Sequence, residues 1–176
     1  MDFRQTELYQ RLQRFSLDAI EADMPFSHRL ARDNVWTFDY ARRAIEEYKK
    51  FAVLAVIAGH PVTPSDQVDQ VWHLHLLYTQ SYWGEFCPKI LQTPLHHNPT
   101  KGGQQEHNKF SDWYARTLQS YEAIFQQTPP ADIWPPSKIR FGQDLAFRRI
   151  NTQQHWIIPK LDLSWLSQYR YHGLGC

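Results

Sequence analysis

The sequence predicts an all-α fold, a single helical bundle of about four to five helices with an irregular Pro/Trp-rich C-terminal arm packed on it. Three observations carry that prediction. Apolar residues recur at spacings of three and four in successive segments up to about residue 127. Pro, Gly and capping residues punctuate those segments where helices start and stop. The 176-residue chain is long enough for one domain with a full core, burying ~70% of its unfolded surface. Its aromatic content of 15%, from 7 Trp, 9 Tyr and 10 Phe, supplies the burial area that a disordered chain lacks.

The first helix spans about Thr6 to Ile20, where Leu8, Leu12, Phe15 and Ala19 form one stripe. Asp23-Met24-Pro25 breaks it, and Ser27 is placed to cap a short second helix ending at Asn34. Thr37 caps the third. Phe38, Ala41, Ile45, Tyr48, Ala52 and Ala55 share a face there, while Glu46, Glu47, Lys49 and Lys50 mark the wet side. From Phe51 this helix is apolar all round, so its second half lies deep in the core. Gly59 ends it as a C′ glycine, with Pro61 following.

Thr63-Pro64-Ser65-Asp66 opens the next helix, with Thr63 as N-cap, Pro64 at N1 and Asp66 reaching back from N3. Val68, Val71, Trp72, His75, Thr79, Tyr82, Trp83 and Phe86 extend it as one long amphipathic helix at the centre of the bundle. Pro88, Pro94, Pro99 and Gly102-Gly103 enforce a loop from about Cys87 to Gly103. The last long helix covers about Gln104 to Gln127, with Phe110, Tyr114, Thr117, Tyr121 and Ile124 facing inward. Thr128-Pro129-Pro130 stops it. Residues 1–130 therefore form the bundle and residues 131–176 the arm. The arm carries Trp134, Trp156 and Trp165 without a sustained period, and a short helix is expected near Leu163 to Tyr169.

Composition narrows the functional classes. The charges nearly cancel, 19 Lys+Arg against 18 Asp+Glu, so no nucleic-acid partner is expected. The longest apolar run, Phe51 to Ala58, has eight residues where a bilayer span needs ~20, so no membrane segment is expected. MDFRQTELYQ has no basic-then-apolar leader pattern, which suggests a cytoplasmic protein. Cys87 and Cys176 form no CxxC and read as free thiols.

Histidine is unevenly distributed. Residues 57–110 hold three basic and four acidic groups, yet six of the nine histidines: His60, His73, His75, His96, His97 and His107. Imidazoles concentrated where other charge is scarce point to a polar site. The sharpest pattern is VDQVWHLHLLYT, residues 68–79. Positions two apart on a helix differ by ~200°, so His73 and His75 cannot chelate one ion together. Asp69 lies four residues before His73 on the same face, as a structural hydrogen bond or as a pair of metal ligands. His75 falls in the aromatic stripe, where it is either a core histidine bonded to a carbonyl or a Tyr, or a further ligand. His96-His97, between Pro94 and Pro99, form either a solvated loop pair or the source of a third ligand. Asp69, His73 and His97, with His75 and His96 as further candidates, make an open site for a divalent metal of the zinc or iron class. Trp72, His75, Tyr82 and Cys87 are the candidates for a structural network.

AGHPVTPSDQVDQVWHLHLLYTQSYW resembles the bacterial branch of the glycine-rich domain-containing protein-like family. The resemblance extends upstream through PFSHRLARDNVW and EYKKF. Downstream it runs through PLHHNPTKGG, KFSDWYARTLQSYEAIF and PPADIWPP, and so covers nearly the whole chain. The family pattern of Asp, Trp-His-x-His, Cys and loop His falls on Asp69, Trp72, His73, His75, Cys87 and His97. The resemblance implies a long Gly/Cys-rich tail in many relatives, of which GLGC is expected to be a stub at most. The resemblance implies the fold and the motif and supplies no reaction. Two functions follow as expectations: a metal-binding polar site, or a protein-interaction module whose WHLH histidines form a buried hydrogen-bond network and whose arm docks a protein partner.

Overall fold

A computed structural model describes residues 6–19, 21–142, 150–151 and 153–158. The expected helix at Leu163 to Tyr169, together with Trp165 and Cys176, lies outside the described residues. The chain divides into two compact units, residues 1–143 and 144–176. Among the described residues the first unit is helical without strands: α1 (Glu7–Arg14), α2 (Phe26–Asn34), α3 (Phe38–Ile57), α4 (Asp66–Leu77), a single turn α5 (Thr79–Ser81), a π-helix (Tyr82–Leu91), α6 (Gln104–Phe125) and a short α7 (Ser137–Arg140). The helices are more numerous than the sequence suggests because the long fourth one is broken and the short α7 follows α6. No described helix is long and apolar enough to cross a membrane.

The hub is α3 rather than the His-rich helix. It packs against α1, α2, α4, the π-helix and α6. Thr37 caps it as expected, its hydroxyl accepting from the Tyr40 N–H at 3.2 Å. Gly59 follows its end at φ +70°, in the left-handed region that a side chain disfavours. Tyr48, Phe51, Ala52 and Leu54 are sealed from solvent, as the apolar composition of this half requires. The expected wet side is only partly wet. Lys49 and Glu47 are both buried. The Glu47 carboxylate accepts from Lys50 Nζ at 2.9 Å, from the Tyr121 hydroxyl at 3.2 Å and from Trp134 Nε1 at 2.9 Å. One carboxylate thus joins α3, α6 and the segment after α6, and three donors offset its desolvation.

Several boundaries differ from expectation for identifiable reasons. α1 stops at Arg14, and Asp18 then accepts from both the N–H and the hydroxyl of Ser27 at 2.8 Å. Ser27 is therefore held inside α2 and does not cap it. Ser65, not Thr63, caps α4, accepting from the Val68 N–H at 3.2 Å. The Thr63 N–H is instead donated to Thr117 Oγ1 on α6 at 3.0 Å. α4 ends where Tyr78 turns to φ −86°, ψ 63°. The chain then winds into the π-helix, which runs through Pro88 to a left-handed Gln92 at φ 59°. Its wider turn explains why Tyr82, Phe86, Cys87 and Leu91 are all buried at spacings of four and five. From α1, Arg11 Nε donates to the Ile90 carbonyl at 2.8 Å and satisfies one acceptor of the last turn. The loop therefore starts at residue 92, not at Cys87.

α6 turns Tyr114, Thr117, Tyr121 and Phe125 inward. Ile133 and Trp134 follow it into the core. Trp134 packs near Phe51, Tyr114 and Tyr121, as expected of the arm's tryptophans. In the second unit Asn151 organises a turn, its carbonyl accepting from the Gln154 and His155 N–H groups at 3.0 Å. Trp156 is 95% exposed.

Candidate metal centre

α4 begins with acid and continues with imidazole. Ser65 fixes its first turn, which places Asp66 and Asp69 near the positive end of the helix dipole. One turn beyond Asp69, His73 projects from the same face, its Nε2 3.6 Å from Asp69 Oδ2. The loop after the π-helix crosses this face. There His97 Nε2 donates to the other carboxylate oxygen, Asp69 Oδ1, at 2.9 Å. The rings of His73 and His97 lie 4.6 Å apart between centroids. One ligand-type atom from each of Asp69, His73 and His97 lies within 4.8 Å of the others. Donors around a tetrahedral zinc ion are roughly 3.3 Å apart, given metal–ligand distances of about 2.0–2.2 Å. The two Asp69 pairings, each through a different carboxylate oxygen, fall at 3.6 and 2.9 Å. His73 is the most exposed of the three, its side chain at 49% against 20% for Asp69 and for His97.

The surroundings fix these groups unequally. The Trp72 ring packs 4.4 Å from the His97 ring. Its indole Nε1 donates to the Tyr82 hydroxyl at 2.8 Å. Tyr82 in turn donates to the Leu95 carbonyl, two residues before His97. Beside the centre, Asp66 is paired with Arg140 at 2.9 Å. Burial raises the Asp66 carboxyl above its ordinary range, Arg140 opposes that, and the nearby Asp69 charge adds to it.

His75 lies on the opposite side of α4 and has a different role. It is fully buried. Its Nδ1 is 2.9 Å from the Tyr48 hydroxyl and its Nε2 is 3.2 Å from Ser81 Oγ. Phe15, Phe26, Tyr48, Tyr82 and Phe86 surround the ring. Burial lowers its pKa to about 3, so the imidazole is neutral in the folded protein. His96 is also outside the cluster, exposed and 5.5 Å from the Trp83 ring. Cys87 is a buried free thiol beneath Tyr82, and burial is the main reason that the Tyr82 hydroxyl holds its proton more tightly than usual. His60 and His107 bond elsewhere, to Ser120 and to the Phe141 carbonyl.

Of the sequence candidates, the fold brings Asp69, His73 and His97 together and leaves His75 and His96 apart from them. His75 meets a tyrosine, Tyr48, as expected of a core histidine, whereas its second partner Ser81 and the Leu95 carbonyl that Tyr82 reaches carry no signal in the sequence. A usable signal existed for Tyr82, since a tyrosine on a buried stripe needs a partner for its hydroxyl. A cavity of about 880 Å³ lies elsewhere, among residues of α1, α3 and the end of α6, and includes none of the three cluster residues. The centre is thus a ledge on α4 roofed by a loop.

Comparison with known proteins follows the same residues. The family model described as UCP032817-like matches residues 29–119, which span just over half of the chain and include the whole centre. Among curated proteins, the chain is similar to glycine-rich domain-containing protein 1 of Arabidopsis thaliana, with 24% identity over 62% of this chain. It is also similar to glycine-rich domain-containing protein 2 of the same plant, with 25% identity over 61% of this chain. The matched segment covers 14% of the length of each relative. No solved structure matches the chain significantly.

Proposed function

This chain belongs to the UCP032817-like family, and from that footing we propose that Asp69, His73 and His97 bind one divalent transition-metal ion. The observation that carries the reading is the convergence of their three donor atoms, from α4 and from a separate loop, within 4.8 Å. Two imidazoles and one carboxylate suit zinc with an open fourth position, and equally the facial triad of ferrous iron. An ion so held supplies Lewis acidity at its open coordination position. The packing of Trp72 on His97 and the tether from Tyr82 to Leu95 support the reading, because they hold the loop that carries His97 against α4.

Elemental analysis of protein purified without added metal tests it. The expected result is near-stoichiometric zinc or iron in the wild type, lost in both His73→Ala and His97→Ala. Metal-free protein that also takes up neither zinc nor ferrous iron on titration overturns the reading.

A second reading, docking of a protein partner on the C-terminal arm, is favoured by the exposure of Trp156, Ile157 and Ile158 in succession. It predicts a partner whose binding is lost in Trp156→Ala and unaffected by His73→Ala.

A further inference from the structure

We infer that Tyr82 is the positioning residue of the metal centre, its hydroxyl holding the loop at the depth where His97 reaches Asp69. The inference rests on the metal reading above and adds to it how the third ligand is delivered.

The loop brings His97 to the centre with little support of its own. Between Pro94 and Pro99, two hydrogen bonds tie it to the helices among the described residues. One is His97 to Asp69 and the other is Tyr82 to the Leu95 carbonyl. The first is made by ligand atoms themselves, and an ion bound through them replaces it. The second remains available whether or not metal is bound. Leu95 lies two residues from His97, so the position of its carbonyl limits where the imidazole falls.

Tyr82 is itself fixed. It is sealed from solvent, and its hydroxyl both donates and accepts, taking the Trp72 Nε1 proton at 2.8 Å while giving its own to Leu95. Trp72 closes the circuit by packing its ring, tilted by 59°, with its centroid 4.4 Å from that of His97. Residues 72 and 82 would be separated by about 15 Å along one straight α-helix. The break at Tyr78 and the single turn Thr79–Ser81 after it bring Tyr82 back beneath Trp72. The same break that spoils the long amphipathic helix thus builds the support of the centre.

The test compares wild type with Tyr82→Phe by zinc titration calorimetry, by visible absorption of the cobalt-loaded protein and by amide hydrogen exchange of the metal-free protein. The expected result is a zinc affinity weakened ~10–100-fold, the range seen when outer partners of ligands are removed. At saturating cobalt, the absorption loses intensity as His97 is replaced by water. Exchange speeds up in residues 95–98 while protection in α3 and α6 is retained. Trp72→Phe, which keeps the Tyr82 donation to Leu95, is expected to fall between wild type and Tyr82→Phe. Wild-type affinity and spectrum in Tyr82→Phe overturn the positioning role and leave the metal reading standing. Protection lost uniformly across the chain overturns it in favour of a purely structural role. A wild type that binds neither zinc nor cobalt overturns the metal reading, and the positioning role with it.

Discussion

His75 is a base placed where protonation is costly. Its pKa is lowered from 6.5 to about 3 by burial, with the Tyr48 hydroxyl and Ser81 as its polar neighbours. Because the folded-state value is depressed, the unfolded chain binds the extra proton between pH 6.5 and about 3. The stability that neutral His75 allows is therefore complete above pH 6.5 and is lost as pH falls through that window. The slope from this one group approaches about 1.4 kcal/mol per pH unit. Denaturant melts of wild type and His75→Gln at pH 7, 6, 5 and 4 check it, the wild type losing stability more steeply. Parallel slopes would refute the assignment. The opposed directions of His73 and His75 were legible in the sequence, since helix geometry alone separates neighbours two apart. The reach of His97 was not, because a loop's path depends on contacts such as Tyr82 to Leu95 that no local pattern records.

Individual elements show where local rules compete. Thr63-Pro64 has the form of a helix start, yet the helix begins two residues later because α6 captures the Thr63 N–H through Thr117. The Thr63 hydroxyl is left buried without a hydrogen-bond partner among the described residues. Thr63→Val is therefore expected to be neutral or stabilising. Ser65→Ala is expected to cost about 1 kcal/mol through loss of the cap. Thermal melts of the two variants check this, and the opposite ranking would restore Thr63 as the cap. Pro88 shows the same competition. It ends an α-helix by clashing with the preceding turn, which is why the sequence suggests a loop from Cys87. A wider turn relieves that clash, and burial of Phe86, Cys87 and Leu91 favours continuing the helix. Long helices with ordinary caps, α3 and α6, were legible because propensity, period and burial agree in them. The π-helix was not, because there they disagree.

Across the whole molecule, the bundle is closed by polar as well as apolar contacts. Glu47, which the sequence places among wet residues, joins α3 to α6 and to Trp134. Replacing it with Ala leaves the Trp134 indole, the Tyr121 hydroxyl and the half-buried Lys50 without that acceptor. The expected cost is about 2–4 kcal/mol, read as a lower denaturation midpoint. A change under about 0.5 kcal/mol, the range of ordinary surface substitutions, would show that Glu47 is not a closing contact. The all-α class was legible from period and punctuation, whereas the hub was not, because the densest motif lies on α4 while the most widely packed helix is α3. α3 is central for a plainer reason: it is the longest element that turns apolar on every side.

The central claim is that one ion joins α4 to the loop above it. Anomalous diffraction from crystals grown with zinc, recorded on both sides of the zinc absorption edge, tests it most directly. The account predicts a single strong peak about 2.0–2.2 Å from Asp69, His73 and His97. A peak held instead by His96, His60 or His107, or no peak beside Asp69 at saturating zinc, would contradict it.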